Sequence, residues 1–330
     1  MLTLSKSLFA LGLGFVLSAI MGLLLIPILR KVDARQTVSN HINERHQKKN
    51  GTPTLGGLIF IIPPLITLLI LYLRGSIALS ANLIIIIFVF LAYAALGFID
   101  DWLKIKYHNN KGLKIRHKLV FELIISIIFY LIYVNDGGKA ALDITLFGLH
   151  IELGWAYPIF VLFLLTATTN AVNITDGLDG LCGGLSIMSL LAYAVIAWGS
   201  IYIEGNQDIA IFLFTLVGSI IGFLLYNTHP ARIFMGDTGS LALGGVLAAT
   251  AIITHHELSL AVIGGVFVIE TLSSIIQLIA IKKYHRKVFL KAPLHHHFEE
   301  LGWEESDIVK VFWVAGFILA LGALIYGVWI

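Results

Sequence analysis

Residues 80–104, SANLIIIIFVFLAYAALGFIDDWLK, decide the fold class of this chain. The first part of the stretch, 80–99, carries no charged side chain and has the length of about 20 residues that an apolar helix needs to cross a lipid bilayer. Two adjacent aspartates, Asp100 and Asp101, then end the apolar run. The stretch therefore predicts a membrane-spanning helix that brings a pair of carboxylates to the membrane boundary.

The composition of the whole chain agrees with that prediction. Of its 330 residues 58% are hydrophobic and only 13% are charged, and the mean hydropathy is +0.90. A soluble domain has roughly a quarter charged residues, so the composition excludes a disordered chain and argues strongly against an ordinary soluble protein. The net charge of +2 argues against a nucleic-acid-binding protein. A single cysteine, Cys182, allows no internal disulfide and no zinc framework.

Apolar runs of membrane-spanning length recur along the chain, and the fold predicted from them is an all-α polytopic membrane protein with ten transmembrane helices in one domain, 1–330. The alternating pattern within 135–156, with Gly148 at its centre, predicts a small β-hairpin. The ten predicted spans are 6–29, 54–73, 80–99, 119–134, 157–173, 182–200, 208–226, 239–253, 260–281 and 306–328.

The distribution of lysine and arginine predicts the orientation of these helices. Most of the 22 basic residues lie in the loops after the first, third, seventh and ninth runs, which are therefore expected in the cytoplasm. Both termini and the hairpin are then expected outside, and in a bacterium the hairpin is periplasmic. The first run has no small-residue cleavage site after it and leads into a basic loop, which favours a retained helix over a signal peptide.

The motif FIDDWLK, 98–104, is a candidate for metal or proton chemistry. Acidic residues near a helix C-terminus oppose the helix dipole, so Asp100 and Asp101 are poor structural choices there, although Lys104 at i+4 from Asp100 can offset part of the cost. Paired carboxylates beside basic residues suit Mg²⁺ binding or removal of a proton from a phosphate.

The motif NAVNITDGLDG, 170–180, places Asn170, Asn173, Asp176 and Asp179 three residues apart. The first three share one face if the fifth helix continues through them. Such polar groups at a membrane boundary are costly unless they meet a ligand or an ion. The structural alternative is that Asp179 caps the sixth span and Gly177 ends the fifth, and the two interpretations are compatible.

Two further motifs combine glycines with polar groups. In YNTHPARIFMGDTGS, 226–240, Asp237 either caps the eighth span or serves the site, and Phe234 is an aromatic residue suited to stacking on a base. In KKNGTPTLGG, 48–57, backbone donors and hydroxyls suit a phosphate or a sugar, but the lysine-serine ending of a P-loop is missing. Its equally weighted structural alternative is a helix N-terminus capped by Thr54.

The remaining unusual polar residues lie late in the chain, except for Glu122, which is expected to be an ordinary residue of the membrane interface. Consecutive histidines in KAPLHHHFEE, 291–300, point in different directions on a helix, so a phosphate or proton-transfer role is favoured over a zinc site. Glu270 lies near the middle of the ninth run, where it either lines a groove or bonds to a neighbouring helix.

Together these motifs supply carboxylates for Mg²⁺, lysines for phosphates, an aromatic ring for a base and amides for a sugar, all in loops predicted on one membrane face. This set predicts phosphoryl transfer from a nucleotide sugar to a lipid phosphate. In sequence and order the motifs GTPTLGG, FIDDWLK, NAVNITDGLDG, FMGDTGS and APLHHHFEE resemble those of the polyprenyl-phosphate N-acetylhexosamine-1-phosphate transferase superfamily. The resemblance covers essentially the whole chain, and the histidine triplet after Ala-Pro-Leu favours the muramoyl-pentapeptide branch.

The resemblance implies transfer of phospho-MurNAc-pentapeptide from UDP-MurNAc-pentapeptide to undecaprenyl phosphate, with Mg²⁺ as cofactor and lipid I and UMP as products. It implies a multi-pass protein of the bacterial inner membrane, a cytoplasmic active site and a homodimer. Direct attack by the lipid phosphate is favoured over a two-step route through a phospho-enzyme, and the choice between the two routes stays open. The implied catalytic residues are Asp100 as base, Asp101 as support and Asp237 as Mg²⁺ ligand. The residues implied around the uridine are Lys48, Gly177, Leu178, Asp179 and Phe234. Those implied around the diphosphate and sugar are Asn170, Asn173, Asp176, Lys118, His295 and His296.

Two alternatives remain at this point. One is a polyprenyl-phosphate GlcNAc-1-phosphate transferase of the same superfamily, with the same chemistry and a different donor. The other is a secondary transporter of an anionic solute that uses Glu270 and broken helices as its pathway. Transporters of that kind have paired halves and a site near the midplane, whereas here the polar motifs gather at one face and no half-repeat is visible.

Overall fold

The computed structural model describes residues 2–32, 34, 51–107, 112–144, 148–199 and 205–327. In that part of the chain, helices account for most residues and a single hairpin for the strands. In chain order the elements are α1 (Leu2–Lys31), α2 (Leu58–Leu73), α3 (Ala81–Lys106), α4 (Ile115–Asn135), β1 (Ala141–Ile144), β2 (Leu149–Glu152), α5 (Tyr157–Thr175), α6 (Leu181–Gly199), α7 (Asn206–Asn227), α8 (Gly236–Ile253), α9 (Leu260–Ile263), α10 (Gly265–Tyr284), α11 (Leu294–Glu300) and α12 (Glu305–Gly327).

Nine of the described helices are long and apolar enough to cross a membrane, which supports the polytopic architecture. The predicted second span is α2, an apolar helix of 16 residues. At 1.5 Å per residue it is about 24 Å long, shorter than the roughly 30 Å hydrocarbon core of a bilayer. The count of ten spans and the orientation of the termini therefore remain predictions.

Most of the predicted boundaries differ from those in the structure by a few residues, and three of the differences bear on the site or on the number of helices. Helix α3 continues beyond 99 to Lys106, because the two lysines of its last turn complement the helix dipole and Lys104 pairs with Asp100. The ninth predicted span is divided at Gly264 into the short α9 and the longer α10. Helix α8 begins at Gly236, three residues before its predicted start, so Asp237 lies within its first turn.

Helices α7 and α8 form the centre of the bundle, and nearly all of their side chains are buried. Helix α8 packs against α3 on one side and α5 on another. The approach of α3 is close at Gly97, where any side chain would overlap the backbone carbonyl of Asp237. This close packing brings the end of α3, with its two aspartates, to the start of α8.

The hairpin expected within 135–156 is present. Strands β1 and β2 pair antiparallel, with Ala141 opposite Glu152 and Ile144 opposite Leu149. Gly148, just before β2, has a φ of +58°, which is a left-handed conformation that glycine adopts without a steric penalty. The prediction of a hairpin is thus confirmed, whereas its position outside the membrane is not tested by the pairing.

Candidate active site

Three aspartates meet where the end of α3 contacts the start of α8. Carboxylate oxygens of Asp100, Asp101 and Asp237 all lie within 4.8 Å of one another. Two of these residues are neighbours in sequence, and the third is 136 residues beyond Asp101. The structure therefore brings together the three residues that the family resemblance assigns to catalysis.

Asp101 binds the N-terminus of α8. Its Oδ1 accepts a hydrogen bond from the backbone N–H of Asp237 at 3.1 Å, and its Oδ2 accepts from the backbone N–H and the hydroxyl of Thr238 at 2.9 and 2.7 Å. Unpaired N–H groups and the helix dipole both favour an anion at this position. The interpretation of Asp237 as the cap of this helix is therefore wrong, because Asp101 on another helix has that role.

The carboxylate of Asp237 is oriented from one side by an amide and from the other by two lysines. Oδ1 accepts from the side-chain amide of Asn173 at 2.8 Å, and that amide also lies 2.8 Å from the hydroxyl of Ser240. Oδ2 lies 3.3 Å from Nζ of Lys104 and 3.5 Å from Nζ of Lys118. Unlike Asp101, the Asp237 side chain keeps some exposure, so a ligand can reach it.

Asp100 is held by a loop and by a lysine. Its Oδ1 accepts from the backbone N–H of Leu113 at 2.6 Å, and its Oδ2 pairs with Nζ of Lys104, also at 2.6 Å. The i, i+4 ion pair expected from the sequence is thus present. The Lys104 ammonium group also contacts Asp237, so it lies between the two carboxylates, a central position that no local pattern indicated.

The donor set at this site fits a divalent cation. Asp237 offers a partly exposed carboxylate and Asp100 a buried one, whereas both oxygens of Asp101 are hydrogen-bonded to the start of α8. Mg²⁺ typically binds one or two protein carboxylates and completes its shell with water and substrate phosphates. The space between Asp100 and Asp237 can hold a positive charge, because the ammonium group of Lys104 lies there.

Asn170 lies one turn from Asn173 but has different partners. Its side-chain amide donates to the two carboxylate oxygens of Glu122 at 3.3 and 3.2 Å and to the backbone oxygen of Thr166 at 2.9 Å. Glu122 itself is fully buried, which differs from the expectation of an ordinary interface residue. Because Glu122 is a single acidic residue in an apolar helix and belongs to no motif, the sequence did not indicate that Asn170 is its partner.

The loop Asp176–Gly180, which joins α5 to α6, is tied to two distant parts of the chain. Oδ2 of Asp179 accepts from the backbone N–H of Ala231 at 2.9 Å and lies 3.1 Å from Nδ1 of His229. The backbone N–H of Asp179 donates to Oε1 of Glu305 at 2.7 Å. Leu178 is buried and Asp176 follows the end of α5. Glu305 contacts this loop but was not predicted from the sequence, because acidic residues such as Glu305 and Asp307 are ordinary in the first turn of a helix.

The segment before α2 pairs with the loop before α8. The backbone N–H groups of Gly56 and Gly57 donate to the carbonyls of Phe234 and Met235 at 2.8 and 2.9 Å, and the N–H of Phe234 donates to Pro53. These donors are therefore not free for a phosphate. The Thr54 cap is also wrong, because Gly57 precedes α2 and no side chain caps it. Lys48, at the start of this motif, lies outside the described residues.

The three histidines of α11 point to three different partners, as the sequence predicted. His295 bonds to Glu270 of α10, and Nδ1 of His296 bonds to Glu299. Nδ1 of His297 accepts from the backbone N–H of Leu290 at 3.1 Å. Burial lowers the pKa of His296 from its usual range. No single metal ion could be bound by all three rings in this arrangement.

Comparison with known proteins agrees with this geometry. The profile of "Glycosyl transferase family 4" matches residues 83–255, which include both aspartate motifs and the Asp176–Gly180 loop. A phospho-N-acetylmuramoyl-pentapeptide-transferase of Geobacillus sp. (strain WCH70) is 44% identical over 321 residues, covering 97% of this chain and 98% of the relative. The protein of that name from Bacillus subtilis (strain 168) is 42% identical over 323 residues, covering 98% of each.

Identity of this extent over nearly the full length of both proteins, together with a family profile that spans more than half of the chain, is sufficient to assign membership. The resemblance inferred from the five motifs is thereby confirmed. The chain belongs to glycosyl transferase family 4, in the family of the phospho-N-acetylmuramoyl-pentapeptide-transferases.

Proposed function

We propose that this protein transfers phospho-MurNAc-pentapeptide from UDP-MurNAc-pentapeptide to undecaprenyl phosphate, giving lipid I and UMP for peptidoglycan synthesis. The observation that carries the proposal is the meeting of Asp100 and Asp237 with Lys104 and Lys118 at one end of an apolar bundle. Such a site can bind a diphosphate and a cation while a lipid phosphate enters from the side. The names of the relatives support the choice of donor and acceptor.

In the favoured direct mechanism, an oxygen of the lipid phosphate attacks the phosphorus that carries the sugar. A new P–O bond forms to the lipid phosphate, and the P–O bond to UMP breaks, so UMP leaves with the electron pair. Bound Mg²⁺, held by Asp237, would neutralise charge on the diphosphate. Lys104 and Lys118 would pair with the remaining phosphate charge, because both ammonium groups already lie against Asp237.

Asp100 is our candidate for the base. A phosphate monoester has a second pKa near 6, so part of the lipid phosphate carries a proton that must leave before attack. Oδ2 of Asp100 bonds to Lys104 at 2.6 Å, and a shift of this lysine toward substrate phosphate would free that oxygen to accept the proton. Asp101 would support the site by holding α8, and through it Asp237, in place.

The nucleotide sugar would lie along the loops beside this cluster. Lys48, Gly177, Leu178, Asp179 and Phe234 would surround the uridine, with Phe234 stacked on uracil. The diphosphate and the sugar would contact residues of α4, α5, the Asp176–Gly180 loop and α11. These are Asn170, Asn173, Asp176, Lys118, His295 and His296.

The topology proposed for this single membrane domain follows the distribution of basic residues. It comprises ten transmembrane helices with both termini outside, a periplasmic hairpin, an active site on the cytoplasmic side of the bacterial inner membrane, and assembly as a homodimer. Helix α2 would be the second of the ten spans, and local thinning of the bilayer would accommodate its short length.

The deciding experiment compares donors. Purified protein supplied with undecaprenyl phosphate and Mg²⁺ should release UMP from UDP-MurNAc-pentapeptide, and should not do so after chelation of the metal. Release from UDP-GlcNAc alone would assign the chain to the GlcNAc-1-phosphate branch. Release from neither donor, combined with uptake of an anionic solute into proteoliposomes, would establish a transporter instead.

A further inference from the structure

Glu270 is a buried carboxylate within an apolar helix, and the proposed reaction does not use it. It lies six residues into α10, and its exposed fraction is 0%. An ionisable group in a membrane-spanning segment is costly unless its polar atoms find partners. Such a group therefore requires an explanation from the residues that contact it.

Both oxygens of this carboxylate bond to one residue, His295 of α11. Oε1 accepts from the backbone N–H of His295 at 3.1 Å, and Oε2 lies 2.9 Å from Nδ1 of the same residue. Because a backbone N–H can only donate, this contact fixes which oxygen faces the ring. A carboxylate oxygen beside Nδ1 favours a proton on that nitrogen and fixes the orientation of the ring, as it does in carboxylate–histidine pairs elsewhere.

The second ring nitrogen of His295 faces the Asp176–Gly180 loop. The side chain is 1% exposed, and within the described part of the chain Nε2 has no hydrogen-bond partner. A side chain on Gly177 would overlap Nε2, so the ring edge lies directly against that residue. A buried polar atom without a partner is unfavourable, and this one is directed at the loop to which we assign the nucleotide sugar.

We propose that Glu270 is a positioning residue for the nucleotide-sugar site and acts through His295. The Glu270 carboxylate offsets the charge of a doubly protonated His295 ring, whose Nε2–H is then a donor for a diphosphate oxygen bound at the Asp176–Gly180 loop. Charge-assisted hydrogen bonds to phosphate are stronger than neutral ones. The inference rests on the proposed function, because it requires a nucleotide diphosphate at that loop.

The principal test is Glu270→Gln, which preserves the shape of the side chain. The amide oxygen continues to accept the backbone N–H of His295, so the amide NH₂ faces Nδ1 and donates to it. The ring then carries its proton on Nε2 alone and stays neutral. We expect UDP to bind about tenfold more weakly and the KM for UDP-MurNAc-pentapeptide to rise by a similar factor, while uridine affinity and the KM for undecaprenyl phosphate stay unchanged.

A matched control lies on the same helix. Ser273 is also buried, and its hydroxyl donates to the backbone oxygen of Glu270 at 2.6 Å. Ser273→Ala should keep the wild-type affinities for UDP and uridine. If Glu270→Gln does not fold, Glu270→Asp retains the charge with a shorter reach and should weaken UDP binding by a smaller factor, again without changing uridine binding.

A double-mutant cycle separates this role from simple packing. In a His295→Asn background, Glu270→Gln should cause no further loss of UDP affinity, because the residue through which Glu270 acts is gone. Equal losses of UDP and uridine affinity in Glu270→Gln, or additive losses in the double variant, would overturn the inference. Failure of the proposed function is distinguishable, because the wild-type protein would then release no UMP.

Discussion

Two clusters of polar side chains lie at opposite ends of α8, and they use carboxyl groups in opposite ways. At its first turn, Asp237 and its two neighbours on α3 are surrounded by lysines, amides and backbone N–H groups. Just beyond its last turn, Glu257 is 2% exposed and accepts from the hydroxyl of Tyr157 at 2.7 Å. In the described residues no lysine or arginine forms an ion pair with Glu257.

The ring of Tyr133 stacks on Tyr157, with ring centroids 6.2 Å apart, and the hydroxyl of Tyr193 donates to the backbone oxygen of His256. Within this largely aromatic environment, burial raises the pKa of Glu257 to about 7. The comparison teaches that burial alone does not determine whether a carboxyl group is charged. Lysines and the N-terminus of a helix favour the charged form of the aspartates, whereas Glu257 has chiefly the hydroxyl of Tyr157 to offset its burial.

The largest effect is expected from a substitution of the proposed metal ligand in the charged cluster. Asp237→Asn should lower kcat by about a thousandfold or more, because it removes the negative oxygen that would hold Mg²⁺. UMP release from UDP-MurNAc-pentapeptide measures this loss. Glu257→Gln is the matched variant at the other end and should retain wild-type turnover, so similar losses in both variants would contradict the division of roles.

The second prediction concerns the lysine between the carboxylates. Lys104→Met should reduce kcat by about a hundredfold, since one cation facing the diphosphate is lost. Lys106, which lies exposed in the last turn of the same helix, supplies the control. The Lys106→Met variant should keep nearly full UMP release, and a comparable loss there would indicate a general effect of positive charge near the membrane.

The third prediction concerns Glu257, at the other end of α8, and the dependence of protein stability on pH. The folded-state pKa of Glu257 is raised to about 7 from a usual value of 4.5, so the folded protein favours the protonated form. The stabilisation that protonated Glu257 provides is therefore fully present below about pH 4.5. It is lost as the pH rises through about 7, by up to about 3 kcal/mol.

The thermal unfolding temperature of the detergent-solubilised protein, measured from pH 5 to pH 8, tests this dependence. Glu257→Gln should remove the part of the pH dependence that Glu257 causes and should unfold at a higher temperature than the wild type at pH 8. An unchanged pH dependence in this variant would mean that another group is responsible.

The smallest effect is expected from the aspartate that holds α8. Asp101→Asn retains one acceptor oxygen but loses the charge at the helix N-terminus, which costs about 1 kcal/mol of stability. The unfolding temperature at pH 8 should fall by a few degrees. Thr238→Val, which removes one of the donors to Asp101, should cause a loss of similar size, whereas a loss confined to one of the two variants would contradict the shared contact.

Local patterns predicted much of this site. The aspartates and asparagines were found because acidic and amide groups at the ends of apolar runs are costly unless they serve a ligand. The same patterns could not decide between a functional role and a helix cap where both interpretations fitted the local sequence. Thr54 and Asp237 both resembled helix caps, but α2 has no side-chain cap and α8 is capped by Asp101. Partners from a different helix decided both cases.

The sequence by itself determined the membrane class, the hairpin, the family and the motifs that carry the chemistry, because hydropathy and motif identity are properties of short consecutive stretches. Only the tertiary structure decided which atoms of those motifs meet. It placed Lys104 between Asp100 and Asp237, and it paired Glu270 with His295. Each contact depends on how closely separate helices approach, and that distance is set by packing along whole helices rather than by any local pattern.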